Sequence, residues 1–492
     1  MRSNHETPAG RSFPRAGVSR AEGWLVAVAV VILLTLFWSM LCTVPGVPWN
    51  SARLAPSFAL ARGLPIYALR DSGAQLGWFY GPVFPLWFLP VGFLDQPTIA
   101  LMCAAGWNAV TLLLPVFATV AVALGGHLGA AARASLLGVV LLLANPITQS
   151  AFYMLHVDGV AIACSLLACA SLQAGAVRRW RPGLPMAALA VALAVGTKQL
   201  AIVLVPASFL WLWREGHVRL LGAWLCWLAV CGGAVAGLFL VLFGPRELWF
   251  NGWVVLSHMP WRGGMAVLAA RVLELVQLGW FWWLALAIGW LALSPPTRVP
   301  GLVPGAAALI RLLGWVALLQ LPLGVVASMR AGGGLNSLHA LTFALVAGLI
   351  VAGSWLARRP APVGPRRYLR PAFVLAVILV LGLALDFRLA VDRQPAWTPY
   401  RGLDDMLALA RQKPGRLYMP WNPLITIISD HRVYPFDDAL YCLWLAHLAP
   451  RPEAVRAAVP PEAMILYQEP SQSHFALRYF GPSTRPPKSG QP

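Results

Sequence analysis

The chain has 492 residues, of which 59% are hydrophobic and only 11% are charged, and its mean hydropathy is +0.68. Soluble globular proteins carry about 25% charged residues, so this composition excludes a soluble domain. The formal net charge is +19, but the arginines cluster in short segments between apolar runs. That is the positive-inside pattern of membrane proteins, and it argues against nucleic-acid binding. The seven cysteines show neither CxxC nor His/Cys spacing, so they indicate neither a disulfide framework nor a zinc site.

The N-terminal part of the chain predicts one span followed by a long loop. Residues 1–23 are polar and are predicted to be a disordered cytoplasmic N-terminus. The apolar run 24–44 exceeds a signal-peptide core of about 7–15 residues, which predicts a retained span. The outer loop 45–78 follows, and residues 54–64 have the pattern of a helix lying on the membrane surface. Residues 79–94 are too short and too rich in proline to cross, which predicts a half-inserted or juxtamembrane segment.

If residues 79–94 return to the outer side, the basic clusters that follow all lie on the cytoplasmic side. Hydropathy then predicts about eleven spans in an all-α polytopic domain, residues 24–387. After the first span they are 98–125, 134–150, 158–175, a hairpin of two short limbs over 184–213, 220–243, 270–293, 305–328, 340–357 and 371–387. We find no internal repeat of fixed period, so the sequence does not favour an inverted-repeat transporter.

The C-terminal residues 388–482 are polar, rich in proline and without a spanning run. They predict a small extracytoplasmic α+β domain, with a helix over 403–411 and short strands within 416–429 and 432–434. Residues 483–492 are predicted to be a disordered tail.

Asp158 is the first candidate for chemistry. It follows His156 and precedes Gly159 at the head of an apolar helix, and an ionisable group at such a place is costly and usually functional. Two interpretations stay open, and one carboxylate can serve both. Asp158 is a general base toward an acceptor hydroxyl, or it caps the helix that begins near residue 159.

Lys198 is the second candidate. It lies in the segment GTKQ at the turn of the predicted hairpin. Its ammonium either neutralises a phosphate leaving group or extends along its methylene stem to the interface. The predicted topology places it on the same side as Asp158, so we expect the two side chains to meet in one pocket beneath the outer leaflet.

Other outer-side residues are predicted to bind the substrates. Basic residues on that side oppose the orientation rule, which favours an anionic ligand; of these, the hypothesis assigns phosphate binding to Arg53 and Arg62, together with Lys198. The polar run 332–339 immediately precedes a span and is suited to contact a phosphate. The predicted substrate-binding residues are His156, Gln199, Tyr80, Asn336 and His339. No protein metal ligands are predicted, and no P-loop, HExxH, GxSxG, kinase or dinucleotide motif occurs.

Several of these features occur together in one known class. The segment 80–86 (YGPVFPL), the outer HVD at 156–158, the TKQ hairpin at 197–199 and the long first outer loop resemble the GT-C integral-membrane glycosyltransferases over roughly residues 24–350. That class includes polyprenyl-phosphate-mannose and aminoarabinose transferases. The resemblance implies a polyprenyl-phosphate sugar donor, a lipid, glycan or protein acceptor, and contact with membrane lipids. It leaves a divalent metal ion open as a cofactor.

The resemblance also implies an acidic residue just beyond the first span, as base or metal ligand. Here residues 48–53 read PWNSAR and contain no carboxylate. Three alternatives follow: Asp71 substitutes as a second catalytic acid, Asp158 works alone, or the chain is inactive.

The leading expectation is therefore a hexosyl- or pentosyltransferase in a bacterial inner membrane. It would move a sugar from a polyprenyl-phosphate donor at the outer face. A lipid-phosphate donor needs no nucleotide-binding motif, and none is present. The alternatives are a transporter or flippase for a lipid-linked or anionic substrate, or a catalytically inactive GT-C-like scaffold.

Overall fold

The computed structural model describes residues 20–125, 146–277, 304–356, 398–466 and 475–480, with isolated positions between 126 and 145. The predicted span 371–387, most of 134–150 and 270–293, and nearly all of both predicted disordered termini lie outside these residues.

The described chain is almost entirely helical. Its first part comprises α1 (Arg20–Thr43), α2 (Pro48–Ala61), α3 (Val83–Trp87), α4 (Leu89–Gly92), α5 (Pro97–Ala123), α6 (Pro146–Tyr153), α7 (Val157–Arg178), α8 (Gly183–Val195) and α9 (Leu204–Arg214). The second part comprises α10 (Leu221–Phe243), α11 (Pro245–Trp249), the π-helical turn Phe250–Val254, α12 (Val255–His258), α13 (Gly264–Gln277), α14 (Pro304–Ser328) and α15 (His339–Leu356). Short 3-10 turns lie at Val44–Gly46, Gln199–Val203, Val218–Leu220 and Leu335–Leu338.

The C-terminal part is mixed. It contains α16 (Gly402–Gln412), β1 (Leu417–Tyr418), α17 (Pro423–Asp430), α18 (Asp437–Leu445), α19 (Pro452–Ala457), β2 (Met464–Ile465) and α20 (Leu477–Phe480). The two strands are parallel and pair Leu417 with Met464 and Tyr418 with Ile465.

Four helices of the described chain are long and apolar enough to cross a membrane: Pro97–Ala123, Val157–Arg178, Val218–Phe243 and Gly305–Ser328. Shorter apolar helices accompany them, including both limbs of the 183–214 hairpin. The protein is therefore a multi-pass integral membrane protein, as its composition predicts. The number of about eleven spans stays a prediction.

Helix α7 is the central helix of the described bundle. It packs against α5, α8, α14 and α15, and nearly all of its residues are buried. A helix that is apolar all round is covered either by lipid or by other helices, and the burial of α7 shows that other helices cover it. Its contact with α8 is close because two glycines meet there: a Cβ on Gly183 would lie 2.5 Å from the Cα of Gly175. The packing of α7 against these four helices positions its first turn, which carries Asp158.

The proline-rich segment 79–94 forms two short helices, α3 and α4, which meet at Phe88. It is not one spanning helix, as its prolines predict. The predicted surface helix at 54–64 is α2, which begins six residues earlier, with Pro48 in its first turn. Helix α2 packs against α3, α4 and α17, so the long outer loop predicted from the sequence is folded onto the bundle.

The C-terminal prediction is partly wrong. The helix expected at 403–411 is confirmed as α16, and β1 lies within the segment expected to form strands. Residues 423–430, however, form a helix whose apolar side chains Leu424, Ile425, Ile427 and Ile428 are buried. The run of β-branched residues favoured a strand locally, but Pro423 in the first turn and the helical spacing of the apolar residues fit a helix against α2. Residues 432–434 form no strand.

Candidate active site

Asp158 lies in the first turn of α7 and is 3% exposed. The residue at the N-cap is His156, whose side chain does not cap the helix. The Asp158 carboxylate contacts side chains from other elements, so the capping interpretation does not account for its placement. A negative charge is also favourable here because the helix N-terminus carries a partial positive charge.

Both oxygens of the Asp158 carboxylate have charged or polar neighbours. Lys198 Nζ donates to Oδ1 at 2.5 Å, and His156 Nδ1 contacts Oδ2. Asn336 Nδ2 lies 3.5 Å from Oδ2, and His339 Nδ1 lies 3.6 Å from it. Lys198 is itself only 8% exposed. The predicted meeting of Asp158 and Lys198 is confirmed, and it takes the form of a buried ion pair.

Lys198 reaches this position because the hairpin breaks at its turn. Helix α8 ends at Val195, and Lys198 is extended (φ −143°, ψ 123°) before the 3-10 turn begins. The backbone of the YGP segment binds the same turn: Gly81 N donates to Thr197 O at 3.3 Å. A Cβ on Gly81 would lie 1.7 Å from the Gly196 carbonyl oxygen. Only glycine fits there, so the YGP and TKQ segments form one structural unit.

The 332–339 run completes the surroundings of the carboxylate. Asn336 Nδ2 lies 3.2 Å from His156 Nε2, and Lys198 Nζ lies 3.5 Å from the Asn336 carbonyl oxygen. His339 is 1% exposed, and its Nε2 lies 2.8 Å from the hydroxyl oxygen of Ser150. Sequence reasoning missed Ser150, and no motif marks it. Asn336 and His339 were predicted to contact substrate; the structure places both against Asp158.

Tyr80 and Arg53 extend the site toward α2. The Tyr80 ring lies edge-on to the His156 ring, with centroids 6.0 Å apart. Arg53 Cζ lies 5.6 Å from the Tyr80 ring centroid and 5.9 Å from that of Trp49. The hydroxyl of Tyr67 donates to the Tyr80 carbonyl oxygen at 2.6 Å and holds this segment in place. Arg53 is thus separated from Asp158 by two side chains.

Asp71 lies elsewhere. Its Oδ1 accepts a hydrogen bond from the backbone N of Arg451 at 2.7 Å, and Arg451 Nε lies 3.4 Å from its Oδ2. Asp71 therefore joins the loop to the C-terminal part of the chain. No described contact links it to Asp158, so nothing in the geometry supports the idea that it replaces the missing acid.

Arg62 and Gln199 also bind other partners. Arg62 Nη2 forms an ion pair with Asp95 at 3.0 Å, and Gln199 Nε2 donates to the Gly252 carbonyl oxygen at 3.1 Å. In the described part of the chain, neither side chain forms a hydrogen bond or ion pair with the side chains of Asp158 and Lys198. Their predicted roles in binding substrate stay predictions.

Asn50 lies in the stretch just beyond the first span, where the resemblance implies an acidic residue. The side chain is fully buried. Its Nδ2 donates to the carbonyl oxygens of Val44 and Tyr153 at 3.0 and 2.9 Å, and its Oδ1 accepts from Leu155 N at 2.8 Å. A carboxylate at residue 50 would face two carbonyl oxygens without donors for them. Asn50 thus joins the start of α2 to the segment that leads into His156, and it has a structural role.

His156 is neutral near pH 7. Burial lowers the pKa of His156 to about 4, although the negative charge of Asp158 acts to raise it. Among the residues that the structure describes, no group of three or more His, Cys, Asp or Glu side chains could hold a metal ion, and the Asp158 oxygens already contact protein groups. The described residues therefore do not fit a metal site.

Fold and site together define a class: a multi-pass helical membrane protein with a buried ion pair at one end of its central helix. Two solved structures share this fold. The chain is similar to ArnT from Cupriavidus metallidurans bound to undecaprenyl phosphate (TM-score 0.54, 16% identity, covering 93% of this chain and 95% of that one). It is also similar to the apo state of the same protein (TM-score 0.58, 16% identity, 94% and 95% covered).

The chain therefore has the GT-C fold predicted from its motifs. No protein-family model matches the sequence, and no curated protein matches it.

Proposed function

We propose that the protein is a glycosyltransferase that moves a sugar from a polyprenyl-phosphate donor to an acceptor hydroxyl at the outer face of the inner membrane. The observation that carries the proposal is the buried Asp158–Lys198 pair, held against the YGP segment and the loop before α15. The shared fold adds support, because ArnT has been solved with undecaprenyl phosphate bound. A buried, hydrogen-bonded acid beside an ammonium provides a base and a cation for such a transfer.

The proposed reaction is a displacement at the anomeric carbon. The acceptor oxygen forms the new bond to that carbon and gives its proton to the Asp158 carboxylate. The bond between the anomeric carbon and the phosphate oxygen breaks, and its electron pair leaves with the polyprenyl phosphate. Lys198 neutralises the charge that develops on that phosphate.

Donor binding and activation of the base are coupled in this mechanism. A carboxylate paired with an ammonium is a weak base. The incoming phosphate competes for Lys198, and movement of the ammonium toward it would expose Asp158 Oδ1. His156, His339 and Asn336 remain around Oδ2 and hold the carboxylate in place. The chain thus has a strong base only when a donor is present.

Turnover by the protein in lipid nanodiscs tests the proposal. Radiolabelled polyprenyl-phosphate hexoses and pentoses are supplied with a membrane lipid extract as the acceptor source. We expect Asp158→Asn to lower turnover by about 10²–10⁴-fold, the range for loss of a general base, and Lys198→Ala to lower it strongly as well. Asp405→Asn, an exposed carboxylate of α16, is the matched control and should retain activity.

Two results would contradict the proposal. Wild-type activity in both site variants would remove Asp158 and Lys198 from the reaction. Movement of intact donor across the bilayer without a new glycosidic bond would indicate a transporter or flippase instead.

A further inference from the structure

We propose that a subsite for the acceptor sugar lies between Arg53 of α2 and Asp438 of α18, so that the C-terminal part of the chain helps to bind the acceptor. The inference rests on the proposed function and specifies its acceptor as a carbohydrate, either free or lipid-linked.

A local contact between one residue of α2 and the start of α18 brings Arg53 and Asp438 near each other. Ala52 and Ala439, their direct neighbours, share a buried cluster with Phe436. In the loop between α2 and α3, a Cβ on Gly77 would lie 2.8 Å from the Ala439 Cβ, so the backbones of this loop and α18 are in contact. Arg53 and Asp438 are each half-buried at this seam.

The two charges interact without pairing. Burial raises the pKa of Asp438, the Arg53 guanidinium opposes that increase, and Asp437 adds to it. Among the described residues, no N–O distance of 4.0 Å or less joins Arg53 to Asp438, so the two do not form an ion pair. A guanidinium and a carboxylate that lie near each other without forming an ion pair can both bind the same group. Such a group must accept a hydrogen bond from the guanidinium and donate one to the carboxylate.

A sugar hydroxyl meets both requirements, because it is a donor and an acceptor at once. An aromatic surface lies beside it: Trp49 is 39% exposed, and its ring stands edge-on to that of Trp421 with centroids 5.7 Å apart. The C–H face of a sugar ring packs on such a surface.

The subsite is also continuous with the reaction centre. Arg53 lies against the Tyr80 ring, and Tyr80 lies against His156, which contacts Asp158. A sugar bound at Arg53 and Asp438 would therefore approach Asp158 from the side of α2. Asp438 supplies a second carboxylate near the site, from α18 rather than from the first loop, and its role is to bind and orient the acceptor.

Separate acceptor and donor titrations of Asp438→Asn test this role. We expect the KM for a carbohydrate acceptor to rise about tenfold, because the acceptor hydroxyl loses its hydrogen bond to a charged group. The KM for the polyprenyl-phosphate donor should change less than twofold. Trp49→Ala should likewise raise the acceptor KM and leave the donor KM nearly unchanged. Asp405→Asn should change neither KM. An unchanged acceptor KM in Asp438→Asn, or an equal rise in both KM values, would overturn the inference.

A binding measurement separates this inference from the proposed function. Saturation-transfer NMR detects methyl glycosides of glucose, galactose and mannose bound to the nanodisc-embedded, donor-free protein without any turnover. The subsite predicts transfer of saturation to at least one glycoside in the wild type. This transfer should be lost in Asp438→Asn and Trp49→Ala and kept in Asp158→Asn. Binding that is absent, or equal in all variants, would overturn it even if glycosyl transfer is found.

Discussion

At the scale of single residues, the environment of Asp158 limits what it can do. Its carboxylate is 3% exposed and is neutralised by Lys198 at 2.5 Å. A buried ion pair contributes little net stability, because desolvation offsets the attraction between the charges. The presence of this pair at one end of an apolar bundle is therefore better explained by function than by stability.

Removing one partner of the pair should cost more than removing both. Asp158→Asn leaves a buried ammonium unpaired, and we expect the free energy of unfolding to fall by about 3–5 kcal/mol. The double variant Asp158→Leu/Lys198→Met removes both charges and should recover most of that loss while remaining inactive. Denaturant titration in detergent micelles measures both. Equal stability of the single and double variants would show that the ammonium of the single variant is not buried.

His156 predicts a pH dependence of stability. Its pKa is lowered by burial from 6.5 to about 4 in the folded chain, so between these values the unfolded chain binds more protons. The folded chain's preference for neutral His156 therefore stabilises it fully above pH 6.5. This stabilisation is lost as the pH falls toward 4. One such group changes the free energy of unfolding by at most about 1.4 kcal/mol per pH unit. Replacing His156 with Gln should reduce the slope of unfolding free energy against pH in that window. An identical slope would contradict the assignment.

At the scale of elements, short irregular segments build the site and long helices hold them. The YGP backbone binds the turn between α8 and α9, and the 3-10 turn before α15 brings Asn336 to Lys198. Near the other end of α9, Arg311 of α14 binds Glu215 through both carboxylate oxygens, with Nη2 2.7 Å from Oε2. This second buried pair fixes α9 against α14 and was not predicted.

The contact between Gly81 and Gly196 should tolerate no side chain. A Cβ at residue 81 would lie 1.7 Å from a backbone carbonyl oxygen, which cannot move without moving the turn that carries Lys198. We therefore expect Gly81→Ala to lower turnover at least as strongly as Lys198→Ala. Gly222→Ala in α10 is the matched control, because a Cβ there meets nothing within 4 Å, and it should retain wild-type turnover. Normal activity of Gly81→Ala would show that the two segments are not in contact.

At the scale of the whole molecule, the C-terminal part is packed onto the bundle. Phe436 N donates to the Gln75 carbonyl oxygen at 2.8 Å, and α17 packs on α2. Helices α2 and α17 belong to one hydrophobic core. The C-terminal part is thus on the same side of the protein as the loop between α2 and α3, which also carries Tyr80.

The topology that we infer can be tested by thiol labelling. The background for this test is a variant in which Ser replaces all seven cysteines. With Glu453→Cys added, a membrane-impermeant maleimide should label intact cells. Arg181→Cys should be labelled only after the membrane is permeabilised. Both positions are exposed in the structure. Labelling of both from outside would refute the proposed orientation.

The membrane class, the helical architecture and the two charged residues of the site could all be predicted from the sequence. These follow from local properties: apolar runs of spanning length, and ionisable side chains that a bilayer does not tolerate without a reason. The motif pattern also identified the GT-C fold.

Which groups far apart in the chain meet in space follows from the packing of whole elements. Ser150, Asp438 and Glu215 lie far along the chain from the groups they face, and no local pattern connects them. The same holds for Asn50, whose neighbours suit an amide rather than a carboxylate at that residue, and for residues 423–430, where packing against α2 makes a helix of a run whose β-branched residues favour a strand. Contacts between distant segments depend on how whole elements pack, and a sequence read segment by segment does not contain that information.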